Sequence, residues 1–152
     1  SGSGSLRGTG WRTELLWSQP AQGDSYWQAV ADVNWSFRSG INLAVEYFYN
    51  GQPVPLQALD LSRLVASEPL YAGRHYTGVL VWQDINPFWQ YRVVAIRNAD
   101  DASWVLYPRS SWTLPVTEEV YLMAGAQIFG GDDDSEYGRL EMLGLFELQW
   151  YF

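Results

Sequence analysis

From residue 27 to residue 37 apolar and polar side chains alternate. Trp27, Ala29, Ala31, Val33, Trp35 and Phe37 fall in one register, and Gln28, Val30, Asp32, Asn34 and Ser36 in the other. Successive side chains of a strand point to opposite sides, so this period of two predicts a strand with one apolar face and one mostly polar face. After the turn cluster Arg38-Ser39-Gly40, Ile41, Leu43, Val45, Tyr47 and Tyr49 alternate with Asn42, Ala44, Glu46 and Asn50, which predicts a hairpin. The same test predicts a strand near 10–18 with Trp11, Thr13, Leu15 and Trp17 on its apolar face, and one near 74–84 with Tyr76, Gly78, Leu80 and Trp82. Four more carry Trp89 to Ala95, Trp104 to Trp112, Val120 to Ile128, and Met142 to Phe152, each in every second position. The total is eight strands of about ten residues. Helical spacing is confined to 56–64, inside the longest connection.

Connections near 38–40, 85–87 and 115–117 are short, whereas 18–25, 51–73, 98–103 and 130–138 are longer and collect most of the loop acids. Alternation alone leaves open which face is inside, because a soluble barrel buries the apolar face and a membrane barrel exposes it to lipid. The nine Trp all fall in the apolar registers of this reading. An eight-stranded interior is only just wide enough for side chains to fill, so these indoles and Phe37, Phe146 and Phe152 would overpack it; the apolar face therefore points outward. Aromatics also sort by depth: Trp35, Trp82, Trp89, Trp112 and Trp150 lie toward the short turns, and Trp17, Trp27, Tyr49, Tyr76 and Trp104 toward the long loops. Between them lies a band of Ala, Val, Leu and Gly. Two aromatic girdles around an aliphatic band fit two headgroup interfaces and the hydrocarbon between them.

Composition agrees with this division. The chain has 152 residues, 16% of them aromatic, and its nine basic residues are all Arg against seventeen Asp and Glu. No apolar run reaches the roughly 18 residues of a membrane helix. Without Cys there is no disulfide, thiolate chemistry or Cys-ligated metal, and a net charge of −8 argues against a nucleic-acid partner.

The final strand, with Phe146, Leu148, Trp150 and Phe152 in one register, resembles the C-terminal signal of Gram-negative outer-membrane β-barrels. With the girdles and the alternating connections, the chain resembles the small eight-stranded members of that class, or the C-terminal part of a larger transport barrel. The fold expected is all-β: an eight-stranded antiparallel up-and-down transmembrane β-barrel over residues 6–152, with 1–5 read as a linker or tag remnant of an engineered or truncated form. The resemblance implies an outer-membrane location, a lipid bilayer or detergent around the barrel, and assembly machinery acting on the last strand. A monomer without cofactor or metal is expected. The membrane-interface aromatics would be Trp17, Trp27, Trp35, Trp82, Trp89, Trp104, Trp112, Trp150 and Phe152.

The inward register then carries a polar network of Arg12, Glu14, Asp32, Glu46, Arg92, Arg109 and Glu147, with His75, Thr77 and Gln83 also inward. Arg suits such an interior because its planar fork binds carboxylates bidentately. The function expected is a structural or narrow-pore barrel without a catalytic site. Two other readings attach to particular residues. His75, the one histidine, stands two positions from Thr77, a spacing similar to the His and Ser of outer-membrane phospholipases, but the supporting residues of a triad are missing, so His75 reads as a hydrogen-bonding residue. The 51–73 loop would suit a surface-binding module, or cap the barrel. Asp132, Asp133, Asp134 and Glu136 offer oxygen ligands, yet their spacing matches no calcium loop.

Overall fold

The computed structural model describes residues 1–6, 8–19, 24–55, 71–114 and 120–151, without the side chain of Leu6. Nine strands follow one another: β1 Gly2–Leu6, β2 Thr9–Ser18, β3 Tyr26–Ser36, β4 Asn42–Asn50, β5 His75–Asn86, β6 Trp89–Asn98, β7 Trp104–Thr113, β8 Val120–Gly130 and β9 Leu143–Trp150. They form one sheet in chain order, each strand antiparallel to the next. No helix occurs among the described residues. The expected helical turn at 56–64, the turn near Pro115 and the terminal Phe152 lie outside them.

The all-β meander is as the alternation predicts, with two corrections. The first is strand number: residues 1–5, read as a linker, supply most of β1, which pairs with β2 from Gly2↔Thr13 to Leu6↔Thr9. Glycine weakens a strand because it offers no side chain to pack. Here the indole of Trp11 lies over Gly4, so closely that a Cβ on Gly4 would stand 2.8 Å from the ring, and the aromatic covers what the glycine lacks.

The second correction is closure. The sheet is open, with β1 and β9 as its edges. An eight-stranded barrel would join β2 to β9 as an antiparallel pair, but β1 occupies that edge of β2. Joining the present edges instead would pair β1 with β9 in parallel, because both are odd members of an antiparallel series. That geometry has a different hydrogen-bond pattern from every other pair in the sheet.

Directly paired residues share a face, so the registers assign both faces. One carries Trp11, Trp17, Trp27, Trp35, Trp89, Trp104, Trp112 and Trp150 with Val33, Val45, Val79, Val93 and Phe146. The other carries Arg12, Asp32, Asn34, Glu46, Gln90, Arg92, Arg109, Ser111, Glu147 and Gln149. We call them the Trp face and the polar face.

Strand β5 reverses its expected orientation. Tyr76, Gly78, Leu80 and Trp82 pair with Phe48, Glu46, Ala44 and Asn42 on the polar face, while His75, Thr77, Val79 and Val81 join the Trp face. Gln83, opposite Tyr91, goes with them. Both registers of β5 contain large apolar residues, so its own pattern does not orient it; the unbroken pairing with β4 does. Trp82 is thus the one Trp on the polar face.

Burial belongs to the polar side. Among the described residues the buried apolar side chains are Tyr76, 4% exposed, and Met123, 8% exposed, both on the polar face. On the Trp face Phe146 is 72% exposed and Trp150 68%. Strands β3–β4 and β5–β6 are joined by the short stretches 37–41 and 87–88, at the same end of the sheet. The stretches 19–25, 51–74, 99–103 and 131–142 join strands at the opposite end.

Candidate functional site

The polar face divides into two charged regions. On β2–β4, Arg12 Nε donates to Asp32 Oδ2 at 2.7 Å, and its terminal nitrogens stand 3.9 Å from Glu14 and 3.9 Å from Glu46. Register explains the gathering: Arg12 pairs with Asp32, which pairs with Glu46, and Gly78 follows on β5 with no side chain to crowd them. Four residues of the expected network are therefore brought together, three carboxylates around one guanidinium. Arg12 is half exposed, so the cluster fixes charge placement more than it adds stability; exposed pairs contribute about 0–1 kcal/mol.

The other three members stand apart. Arg92 pairs directly with Arg109 across β6 and β7, and neither has a carboxylate within 4 Å among the described residues. Glu147 lies on β9 opposite Met123, where its carboxylate accepts from the Gln149 amide.

At the long-loop end the polar face is closed by a hydrogen-bonded latch. Glu136 is 7% exposed, and its Oε2 accepts from Tyr76 Oη at 2.6 Å and from Asn98 Nδ2 at 2.8 Å. Its Oε1 faces the Ala72 amide at 3.4 Å. Tyr76 Oη in turn accepts from the Gly73 amide at 2.7 Å. Asp101 holds the next turn: Oδ1 accepts from the Ser103 hydroxyl at 2.6 Å and amide at 2.9 Å, and Oδ2 from the Glu136 amide at 2.8 Å. Asp100 Oδ2 receives the amides of Arg74 and His75. Three connections, 71–74, 99–103 and 131–138, are thus tied to one another and to strand ends.

Gly73 is required by this packing, since a Cβ there would stand 2.4 Å from Asn98 Oδ1. Ala102, at φ 62°, accepts a left-handed conformation that disfavours L residues, so that Asp101 and Ser103 face each other. Burial pushes the Asp101 carboxyl up, but the Ser103 hydroxyl and the amides of Glu136 and Ser103 outweigh it and hold the group below its usual range. The Tyr137 phenol is raised by burial and by the nearby charge of Glu136. Phe48, Tyr71 and Tyr76 pack against one another with tilted rings, centroids 4.8 to 6.2 Å apart.

This latch is not legible in the spacing of the chain: Glu136 stands there beside Asp132, Asp133 and Asp134 as an oxygen ligand, whereas the structure turns its carboxylate onto Tyr76 and Asn98. No group of three or more His, Cys, Asp or Glu is placed to share a metal ion among the described residues. A signal did exist in the Asn, Asp and Ser content of 98–103, which favours side-chain-to-backbone turns.

His75, expected inward, stands on the Trp face. Its Nδ1 shares a 2.6 Å hydrogen bond with Tyr47 Oη, and the Tyr49 ring lies tilted against it with centroids 5.4 Å apart. Thr77 occupies the same face, but Asp100 meets the backbone amide of His75 and not its ring, so this is a hydrogen-bonded aromatic cluster and not a triad. Trp17 and Trp27 pair at the long-loop end with centroids 4.6 Å apart, and Trp104 and Tyr49 lie at that end too. Trp89 pairs with Trp112 at the short-turn end, where Trp35 and Trp150 also lie. Trp82, assigned from the sequence to this outer set, is the exception: it neighbours Arg92 on the polar face. Compared with protein families, curated proteins and solved structures, the chain matches none.

Proposed function

We propose that this chain is the transmembrane wall of an outer-membrane β-barrel of a Gram-negative bacterium, with a structural or narrow-pore role, its Trp face toward lipid and its polar face lining the lumen. One observation carries the reading: most of the exposed large apolar side chains of the strands, among them Trp11, Leu15, Trp17, Trp27, Trp89, Trp104, Phe146, Leu148 and Trp150, lie on the Trp face of a continuous sheet, against Leu16, Tyr121, Leu143 and Leu145 on the polar face. In water such a face would be costly, whereas in a bilayer it is the surface lipid requires. Sorting of seven Trp to the two ends of that face, Trp17, Trp27 and Trp104 at one and Trp35, Trp89, Trp112 and Trp150 at the other, supports the same reading, because indole prefers the headgroup boundary at each end of the hydrocarbon.

The two open edges refine it. Unpaired strand edges are not tolerated in hydrocarbon, where each unsatisfied backbone group costs several kcal/mol. The wall is therefore completed at β1 and β9, by further strands of a larger barrel or by displacement of β1 from β2 so that β9 pairs there. Insertion into vesicles followed by Trp quenching with brominated lipids tests the orientation. Strong quenching by lipids brominated along the acyl chain, with stepwise conductance in a planar bilayer, is the expected result. A chain that stays monomeric and folded in water without detergent overturns the membrane reading; a stably inserted but silent one removes the pore.

A further inference from the structure

The two charged regions of the polar face are not equivalent. Arg12 has three carboxylates within 3.9 Å, so its charge is more than compensated inside the protein. Arg92 and Arg109 sit directly opposite one another, an arrangement that like charges disfavour, and no carboxylate among the described residues comes within 4 Å of either. They line a cavity of about 320 Å³ whose other walls include Trp82, Asp84, Gln90 and Ser111. Water takes up about 30 Å³ per molecule, so there is room for a small polyatomic ion with several waters.

We propose that this cavity is an oxyanion site that takes a phosphate group. Two guanidinium forks present parallel N–H donors suited to the oxygens of a tetrahedral anion, and the Gln90 amide and Ser111 hydroxyl add neutral donors in the same wall. An anion between the Arg residues also removes their mutual repulsion. Asp84 is the opposing element: a lone carboxylate at the lining, it tunes affinity down and favours release. The indole of Trp82, which the β5 register places on this face, supplies a flat apolar wall. The site stands on the polar face whichever medium covers the Trp face, so it holds or fails independently of the membrane reading.

Isothermal titration of the full chain in a nonionic detergent, at constant ionic strength with chloride as the background anion, tests it with inorganic phosphate as probe. Saturable one-site binding is expected, weakened about 10-fold or more by Arg92→Gln or Arg109→Gln, because each removes charge-assisted hydrogen bonds. Arg12→Gln leaves it unchanged. Asp84→Asn tightens binding about threefold, a gain that misfolding cannot imitate. A parallel titration with a short-chain phosphatidylglycerol below its micellar concentration separates the sources: tighter binding of the lipid identifies a headgroup, and tighter binding of phosphate a free ion. No saturable binding, equal loss in Arg12→Gln, unchanged affinity in Arg92→Gln and Arg109→Gln, or an Asp84→Asn that fails to tighten it overturns the proposal.

Discussion

Replacing Glu136 isolates the latch from the sheet. In Glu136→Ala, Tyr76 Oη and Asn98 Nδ2 lose the oxygen they share at 2.6 and 2.8 Å, while the long 3.4 Å approach of the Ala72 amide contributes little. Tyr76 and Asn98 are both buried, at 4% and 1% exposure, so their donors are left without water as a substitute. An unmade hydrogen bond at a buried group costs about 1–3 kcal/mol, and two of them give roughly 3 kcal/mol for the pair at the low-to-middle of that range. Each 1.4 kcal/mol is about tenfold, so the equilibrium for opening the latch rises roughly 100-fold. Glu136→Gln keeps an acceptor oxygen and costs about 1 kcal/mol. Native-state hydrogen exchange reads this by position. The amides of Gly73, Ser103 and Glu136 belong to the latch and lose protection, while those of Val45 and Val93 in the sheet keep theirs, because local opening need not unfold the strands. If Glu136→Ala changes exchange at those three amides by less than about threefold, or loosens the strands equally, the latch does not hold the loops.

Two other outcomes follow from the same geometry. Because the folded Asp101 carboxyl lies below its ordinary range, it stabilises the latch above the unfolded value of about 3.9, and that contribution disappears as pH falls through the folded value. Limited proteolysis of the 99–103 and 131–138 connections should therefore accelerate on acidification in the wild type and be already fast and flatter with pH in Asp101→Asn; identical profiles would count against the assignment. The β5 orientation is tested by a neighbouring pair: Val79→Arg on the Trp face should cost about 2–4 kcal/mol of folding into lipid, while Leu80→Arg on the polar face costs far less. Equal penalties in a bilayer refolding titration would reject either the orientation or the lipid-facing assignment.

Much of the fold was legible in the chain. The period-two pattern marked β2 through β9 because most of those strands repeat one chemistry on one side, and Trp residues mark both ends of the Trp face. Strand β1 was not legible, since Gly-Ser-Gly-Ser has no alternation to read and its pairing rests on backbone groups and the Trp11 ring. Orientation of β5 was hidden for a different reason. Val79 and Val81 balance Leu80 and Trp82, so only the pairing Glu46↔Gly78 and its neighbours could choose between them.

Of the site, the Arg12 cluster followed from strands read one at a time, because Arg12, Asp32 and Glu46 occupy polar registers that pairing then aligns. The latch could not, as Tyr76, Asn98 and Glu136 come from connections and strand ends far apart in the chain. Alternation is a local property, set by where successive side chains point, and the sequence determines it residue by residue. Which strand lies beside which, in what register, and whether the last finds the first, depends on hydrogen bonds between distant backbones; those decided that Trp82 faces Arg92 and that β1 takes the edge of β2.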